Sequence, residues 1–188
     1  MDNATVVEAL KTRLGDAIQN VVEFRKQLII WLAPQRLVEV CQFLRDEPSL
    51  RYNFLSDVSC VDRLEMQAEG IPSGQDPQKM NDELRFVVNY HLLSMPNKHR
   101  LWLKVGLPAA DPHVASVTPL WPGADFLERE VFDLMGVKFD GHPDLRRILM
   151  PDDWKGHPLR KDYPLGFEEV QFSHIFERVQ RRKKFART

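Results

Sequence analysis

Cysteine is scarce in this sequence: its 188 residues include only Cys41 and Cys60, with no CxxC spacing and no secretory leader beside them. The two read as buried thiols in a reducing compartment, one on a helical segment and one on a strand. Two thiols cannot supply the four ligands that an iron–sulfur cluster usually takes, so any electrons handled here pass through a partner. No apolar run approaches the roughly 20 residues that span a bilayer, which makes any membrane association indirect. The nine glycines form neither GxGxxG nor GxxxxGK, and no GxSxG elbow is present. The familiar supports for nicotinamide, flavin or nucleotide binding and for a hydrolase nucleophile are therefore missing. Charge of one sign is also lacking, and a net charge of −1 sets up no global field for nucleic acid or an anionic membrane.

What is present suits one domain with appendages, since 43% of the residues are apolar. Val6, Val7, Leu10 and Leu14 predict an amphipathic helix ended by Gly15. AIQNVVEF and LIIWL then predict a hairpin joined by Arg25-Lys26-Gln27. Pro34 opens a second helix, with Leu37, Val38, Cys41 and Leu44 on one face and Pro48 marking its end. A long alternating strand follows, with Tyr52, Phe54, Val58, Cys60 and Leu64 on its core face. Asp57 and Asp62 fall on opposite faces of that strand, which suits solvated or hydrogen-bonded structural roles better than paired catalysis.

Residues 65–82 are polar, acidic and broken by Gly and Pro, as in a surface loop. LRFVVNYHLLS and KHRLWLKVGL predict a second hairpin, with Leu84, Phe86, Val88, Tyr90 and Leu92 facing Leu101, Leu103, Val105 and Leu107. His91 and His99 read as surface or satisfied sheet histidines. Asp111-Pro112 can start a short helix, HVASVT. The fold class expected is α+β: an antiparallel sheet of about five strands with helices on one face, followed by an extended Pro-rich strap. The α+β domain is placed at 1–136, and the strap with its basic tail at 137–188.

The stretch from Glu128 to Leu165 changes character halfway. Leu127, Val131, Leu134 and Met135 give a helical stripe over about 124–135, with Asp125 as N-cap, Gly136 at the C-terminal cap and the charged residues around the rest. Beyond it, Pro143, Pro151, Pro158 and Pro164 break every regular pattern. Ordering each backbone residue costs about 1–2 kcal/mol, whereas fully burying Trp154, Tyr163 or Phe167 returns about 1.5–3 kcal/mol each. Those anchors alone cannot fix the segment, so it reads as a strap held partly by its own domain and partly by another protein. Two motifs within it echo each other: Gly141-His142-Pro143 before Leu145-Arg146-Arg147, and Gly156-His157-Pro158 before Leu159-Arg160-Lys161. They are either two unrelated proline turns or one repeated device.

Two other readings compete. His142, Asp144, Asp152, Asp153 and His157 could ligate a metal, but Arg146, Arg147, Lys155, Arg160 and Lys161 oppose a cation and no rigid element supports the ligands. EEVQFS, after Gly166, suggests a short strand, and the tail ends in Arg178, Arg181, Arg182, Lys183, Lys184 and Arg187. Without interleaved aromatics that cluster reads as a solvated or partner-facing strip rather than a nucleic-acid site.

Residues 128–165 resemble the signature of the C subunit of respiratory complex I, the proton-pumping NADH:quinone oxidoreductase. The motifs are E-R-E-x-x-D at Glu128, Arg129, Glu130 and Asp133, then G-x-x-F-x-G-H-P from Gly136 to Pro143. L-R-R-I-L at 145–149 and W-x-G-x-P-L-R-K-D-Y-P-L at 154–165 complete it. The resemblance implies a non-catalytic member of the peripheral arm that docks on the D subunit and braces the quinone-site module built by the B and D subunits. Such a protein has no active site and no cofactor of its own: FMN and the iron–sulfur clusters, like NADH and quinone, belong to other subunits. It implies no nucleic-acid partner, and membrane contact only through the complex, on the cytoplasmic side. The partner interface it implies comprises Glu128, Arg129, Glu130, Asp133, His142, Arg146, Arg147, Trp154, His157, Arg160, Lys161, Asp162 and Tyr163. The same signature resembles modules of membrane-bound hydrogenases and of ferredoxin- or deazaflavin-fed complexes, which leaves the electron donor open.

Overall fold

The computed structural model describes residues 1–64 and 84–164. In chain order the elements are α1 (Asn3–Leu14), β1 (Ile18–Phe24), β2 (Gln27–Leu32), α2 (Leu37–Asp46), β3 (Phe54–Asp62), β4 (Leu84–Ser94) and β5 (His99–Pro108). β6 (His113–Ala115), α3 (Ala124–Met135) and β7 (Lys138–Asp140) complete them. The loop expected at 65–82, the EEVQFS strand and the basic tail lie outside the described residues.

The α+β class and the five-stranded sheet are as expected, with strand order β1-β2-β5-β4-β3. The sheet is mixed rather than wholly antiparallel, because β2 runs parallel to β5 while the other neighbours are antiparallel. Each hairpin is antiparallel within itself, and the parallel junction arises where the two hairpins meet, after α2 and β3 have carried the chain around. Phe86, Val88, Tyr90 and Leu92 of β4 are fully buried beside Leu101, Leu103 and Val105 of β5. Val6 and Leu10 of α1, Val40 and Leu44 of α2, and Val131 and Met135 of α3 join the same cluster, so all three helices cover one face of the sheet.

Local chemistry explains the departures from simple patterning. The first hairpin turns on Arg25 and Lys26 alone, both at positive φ, with Phe24 paired to Gln27. That geometry matches the twist of the strands although neither residue is glycine. In β3 the register shifts between Leu55 and Asp57, so Leu55 is buried and Phe54, expected in the core, is exposed. A bulge of this kind puts an extra residue in one strand and reverses the alternation beyond it. HVASVT is not a helix: His113–Ala115 pairs in parallel with β7. Its β-branched Val114 and Val117 fit an extended chain better than a short isolated helix. The histidine reading holds for His99, whose ring joins the Tyr52 hydroxyl at 2.6 Å and Asn3 Oδ1 at 2.9 Å.

Candidate partner-docking site

α3 forms where the helical stripe predicts it, and Gly136 ends it in the left-handed conformation at φ 73°. Gly123, not Asp125, precedes its first residue; Asp125 lies within the first turn and makes no capping bond. Glu128 and Asp133, expected among the outer charges, are fully buried. Each is buried because it has its own set of donors.

Asp133 organises the strap. Its Oδ2 accepts the amides of Ile148, Leu149 and Met150 at 3.0, 2.8 and 2.8 Å, and its Oδ1 accepts Arg147 Nη1 at 2.6 Å. Burial alone would raise the carboxyl pKa, but three amides and a guanidinium outweigh it and hold Asp133 below the ordinary carboxylate range. Arg147 also gives Nη2 to the carbonyls of Trp154 and Gly156, both at 3.0 Å, which closes the turn that follows.

The final carbonyls of a helix lack partners within it. Here the strap supplies them. His157 Nδ1 donates to Asp133 O at 2.8 Å, the Leu159 amide to Leu134 O at 3.0 Å, and Arg160 Nε to Met135 O at 2.6 Å. Arg147 Nη1 also reaches Asp133 O at 3.2 Å, so with Arg160 two guanidinium groups sit at the negative end of the helix dipole, a favourable place for cations. Gly136 is required twice over, since a Cβ there would strain the backbone and collide with His157 and Arg160.

The other end of α3 is tied by the first histidine turn. His142 has a fully buried side chain; its Nε2 donates to Asp125 O at 3.2 Å and its Nδ1 accepts the Asp144 amide at 3.1 Å. Nearby, Glu128 accepts the Ser116 hydroxyl at 2.6 Å and the Val117 amide at 2.8 Å. Burial pushes Glu128 up to about 7, against these two bonds. The sequence echo is therefore realised: Gly141 and Gly156 both take positive φ, and each following histidine docks on a carbonyl at one end of α3. The same placement separates His142 from His157, and no group of three or more metal-ligating side chains forms among the described residues.

The strap's far end is fixed to the sheet edge. Arg85 pairs with Asp62 through Nε at 2.9 Å and Nη2 at 2.6 Å, and gives Nη1 to Asp162 at 2.9 Å. Asp62 also accepts the Lys161 amide at 2.9 Å. Burial opposes its charge, yet the Arg85 and amide bonds pull its pKa down to about 2. Sequence reasoning gave Asp62 a solvated or hydrogen-bonded structural role, and of the two the structure shows the hydrogen-bonded one, with Asp62 buried. It missed Arg85 and Ser116, for which the only signal was a charged or polar residue beside a buried stretch.

Of the expected interface residues, Glu128, Asp133, His142, Arg147, His157 and Arg160 point into the chain and hold the strap. Arg129 donates to the carbonyls of Arg146 and Arg147 at 3.2 Å each and lies 5.8 Å from the Phe126 ring. Glu130, Lys161 and Asp162 are exposed, and the Arg146 side chain is 70% exposed. Trp154 and Tyr163 are half-buried, with Trp154 Nε1 shielded and unpartnered. Outside that set, Phe126, Leu149 and Leu159 are 61%, 60% and 60% exposed. Large apolar residues on a Pro-rich segment are the signal that would have found Leu149 and Leu159.

Comparison with known proteins identifies the relatives of this chain. Residues 30–169 match the family described as respiratory-chain NADH dehydrogenase, 30 Kd subunit. The C subunit of the NADH-quinone oxidoreductase of Roseiflexus sp. (strain RS-1) is 49% identical over 187 residues, covering 100% of this chain and 98% of that protein. The protein of the same name from Geobacter sulfurreducens is 48% identical over 164 residues, covering 87% and 91%. Among solved structures, the trypsin-resistant fragment (1-134) of Nqo5 is 30% identical, with a TM-score of 0.57 over 74% of this chain and 98% of the fragment. A chain of an archaeal membrane-bound sulfane sulfur reductase shares the fold at 17% identity, with a TM-score of 0.65 over 98% and 95%. With the signature residues folded around α3 and most of its length matched, this chain belongs to the 30 kDa subunit family of respiratory-chain NADH dehydrogenase.

Proposed function

We propose that the chain is a non-catalytic core component of the peripheral arm of an NADH-quinone oxidoreductase. It docks on the D subunit and braces the module, shared with the B subunit, where quinone is reduced. The observation that carries this reading is the division of labour in the strap. Its buried charges are satisfied inside the chain, while Leu149, Leu159, Phe126 and Arg146 face outward on a scaffold already fixed by Asp133. An interface of preorganised apolar anchors with a polar surround is what a permanent partner requires.

In this reading the chain has no active site and binds no cofactor; FMN, iron–sulfur clusters, NADH and quinone are held by neighbouring subunits. No helix among the described residues is long and apolar enough to cross a membrane. Membrane contact then comes through the complex, with this chain peripheral on the cytoplasmic side. The equivalent position in a related membrane complex with another electron donor is the second reading. It is favoured only by the fold shared with the archaeal reductase.

The test is a gentle detergent pull-down of the tagged chain from its native membranes, with mass spectrometry of the retained proteins. Recovery with the D and B subunits and the NADH-oxidising subunits supports the first reading, and recovery with hydrogenase-type partners supports the second. Recovery of the chain alone, from membranes that contain the complex, contradicts both.

A further inference from the structure

One end of the sheet combines exposed apolar side chains with charge of a single sign. Strand pairing sets Phe24, Gln27, Arg100, Leu93 and Phe54 in a row across this end, on the side away from the helices. Their strand neighbours Leu28, Leu101, Leu92 and Leu55 face the helices and are buried. Five strands spaced about 4.8 Å apart put Phe24 and Phe54 roughly 20 Å from each other, at the two edges of the sheet. The two are 54% and 50% exposed, and Met95 in the β4–β5 turn is 58% exposed.

The charges around them are all positive. The three segments that form this end, 24–27, 51–54 and 95–100, contain Arg25, Lys26, Arg51, Lys98 and Arg100 and no carboxylate, in a chain whose net charge is −1. None of the five forms an ion pair with a described residue. The flanking carboxylates are directed elsewhere: Glu23 pairs with Leu28 on the helix side, and Asp57 lies one row deeper, opposite His91. Arg25 sits 5.0 Å from the Phe24 ring, so the hairpin tip presents an aromatic ring and a cation together.

These cations also stand where the backbone disfavours them. Arg25, Lys26, Arg51 and Lys98, at φ 50°, 65°, 47° and 50°, are the four non-glycine residues at positive φ among those described. Glycine takes that conformation without strain, so turn geometry does not account for a cation at all four. Strained residues of this kind gather where their side chains have a function. The loops are tied together as well. The Met95 amide donates to Asn53 Oδ1 at 3.2 Å, and Asn97 Nδ2 donates to the carbonyls of Ser49 and Leu50 at 3.0 and 2.8 Å. The surface is therefore preorganised, which lowers the cost of binding.

We infer that this end of the sheet is a second docking surface, which takes an acidic protein surface of a neighbouring subunit. Phe24, Phe54 and Met95 make its apolar contacts and the five cations meet the partner's carboxylates. The inference rests on the subunit role proposed above and adds an interface to it. β3 runs from Phe54 here to Asp62, where the strap is fastened, so the two surfaces lie about 25 Å apart. Phe, Met and Arg are the residues that protein interfaces favour. A bilayer is a poorer fit, because the hairpin tip carries Arg25 and Lys26 ahead of Phe24, whereas insertion needs the apolar residue foremost.

Zero-length carbodiimide coupling of the whole complex, purified from membranes through the tagged chain, tests it, since the reagent joins an amine only to a carboxylate in contact with it. Lys26 and Lys98 are both exposed and serve as the probes. The expected result is each of them joined to an Asp or Glu of another subunit. Arg25→Glu with Arg100→Glu leaves both lysines in place and should lower the yield of those couplings about tenfold, by setting like charges against each other. Couplings only within the chain, couplings to a second copy of it, or none in an intact complex overturn this inference alone. Binding of the isolated chain to phosphatidylserine vesicles, lost in the same variant and without these couplings in the complex, overturns it in favour of a membrane surface. Purification of the chain without other subunits overturns the role proposed above and this inference with it.

Discussion

Asp133 and Arg147 meet at 2.6 Å beneath the strap, and the other carboxylate oxygen of Asp133 gathers the amides of three consecutive residues, Ile148 to Met150. Removing one member of a buried, hydrogen-bonded pair leaves the other charge uncompensated and costs about 3–5 kcal/mol. Asp133→Ala should therefore lower stability in urea by about that amount. Hydrogen exchange should rise first over residues 145–160, while the sheet keeps its protection.

Glu128 gives the chain an unusual pH dependence. Its pKa is about 7 in the folded state against 4.5 unfolded, so the folded chain binds that proton more tightly. The contribution is full below about pH 4.5 and is lost as pH rises through about 7, a change on the order of 3 kcal/mol. Glu128→Gln keeps one acceptor for the Val117 amide, turns an N–H toward the Ser116 hydroxyl oxygen and removes the titration. Denaturation curves from about pH 5 to 8 should slope downward for the native chain and flatten for the variant.

Asp62 acts in the opposite direction. Its folded pKa of about 2 lies below its unfolded value of 3.8, so its contribution is present above the unfolded value and is lost as pH falls through about 2. It amounts to about 2 kcal/mol. Asp62→Asn should weaken the chain at neutral pH and flatten acid unfolding in that window, with the Lys161–Asp162 end of the strap released.

Gly136→Ala combines a left-handed backbone, at φ 73°, with overlap onto His157 and Arg160. The expected cost is about 1–3 kcal/mol. Faster exchange at residues 156–160 would show that the strap has left the end of α3.

Much of the fold was legible because its signals are local. The stripe of α1, the alternation in β4 and β5 and the glycine ending α3 each state their element within a dozen residues. The bulge in β3 and the β6–β7 pairing were not legible, since both depend on partners distant in sequence. The site was half legible. Signature residues marked where the strap is held, and the resemblance implied a partner for their charges; not legible were the carbonyls at the end of α3, which Leu159, His157 and Arg160 satisfy across about 25 residues of chain. Asp133 and Glu130 look alike in sequence, and only the folded strap buries one and exposes the other.

A strap fixed from within should present its outward face ready for docking. The direct measurement is co-purification of the D subunit with the tagged chain carrying Leu149→Asp and Arg146→Glu, alongside thermal unfolding of the isolated variant. The expected result is an unfolding temperature close to that of the native chain and loss of the D subunit, because both side chains point away from the groups that hold the strap. An unchanged yield of the D subunit with the fold intact would show that docking happens elsewhere on the chain.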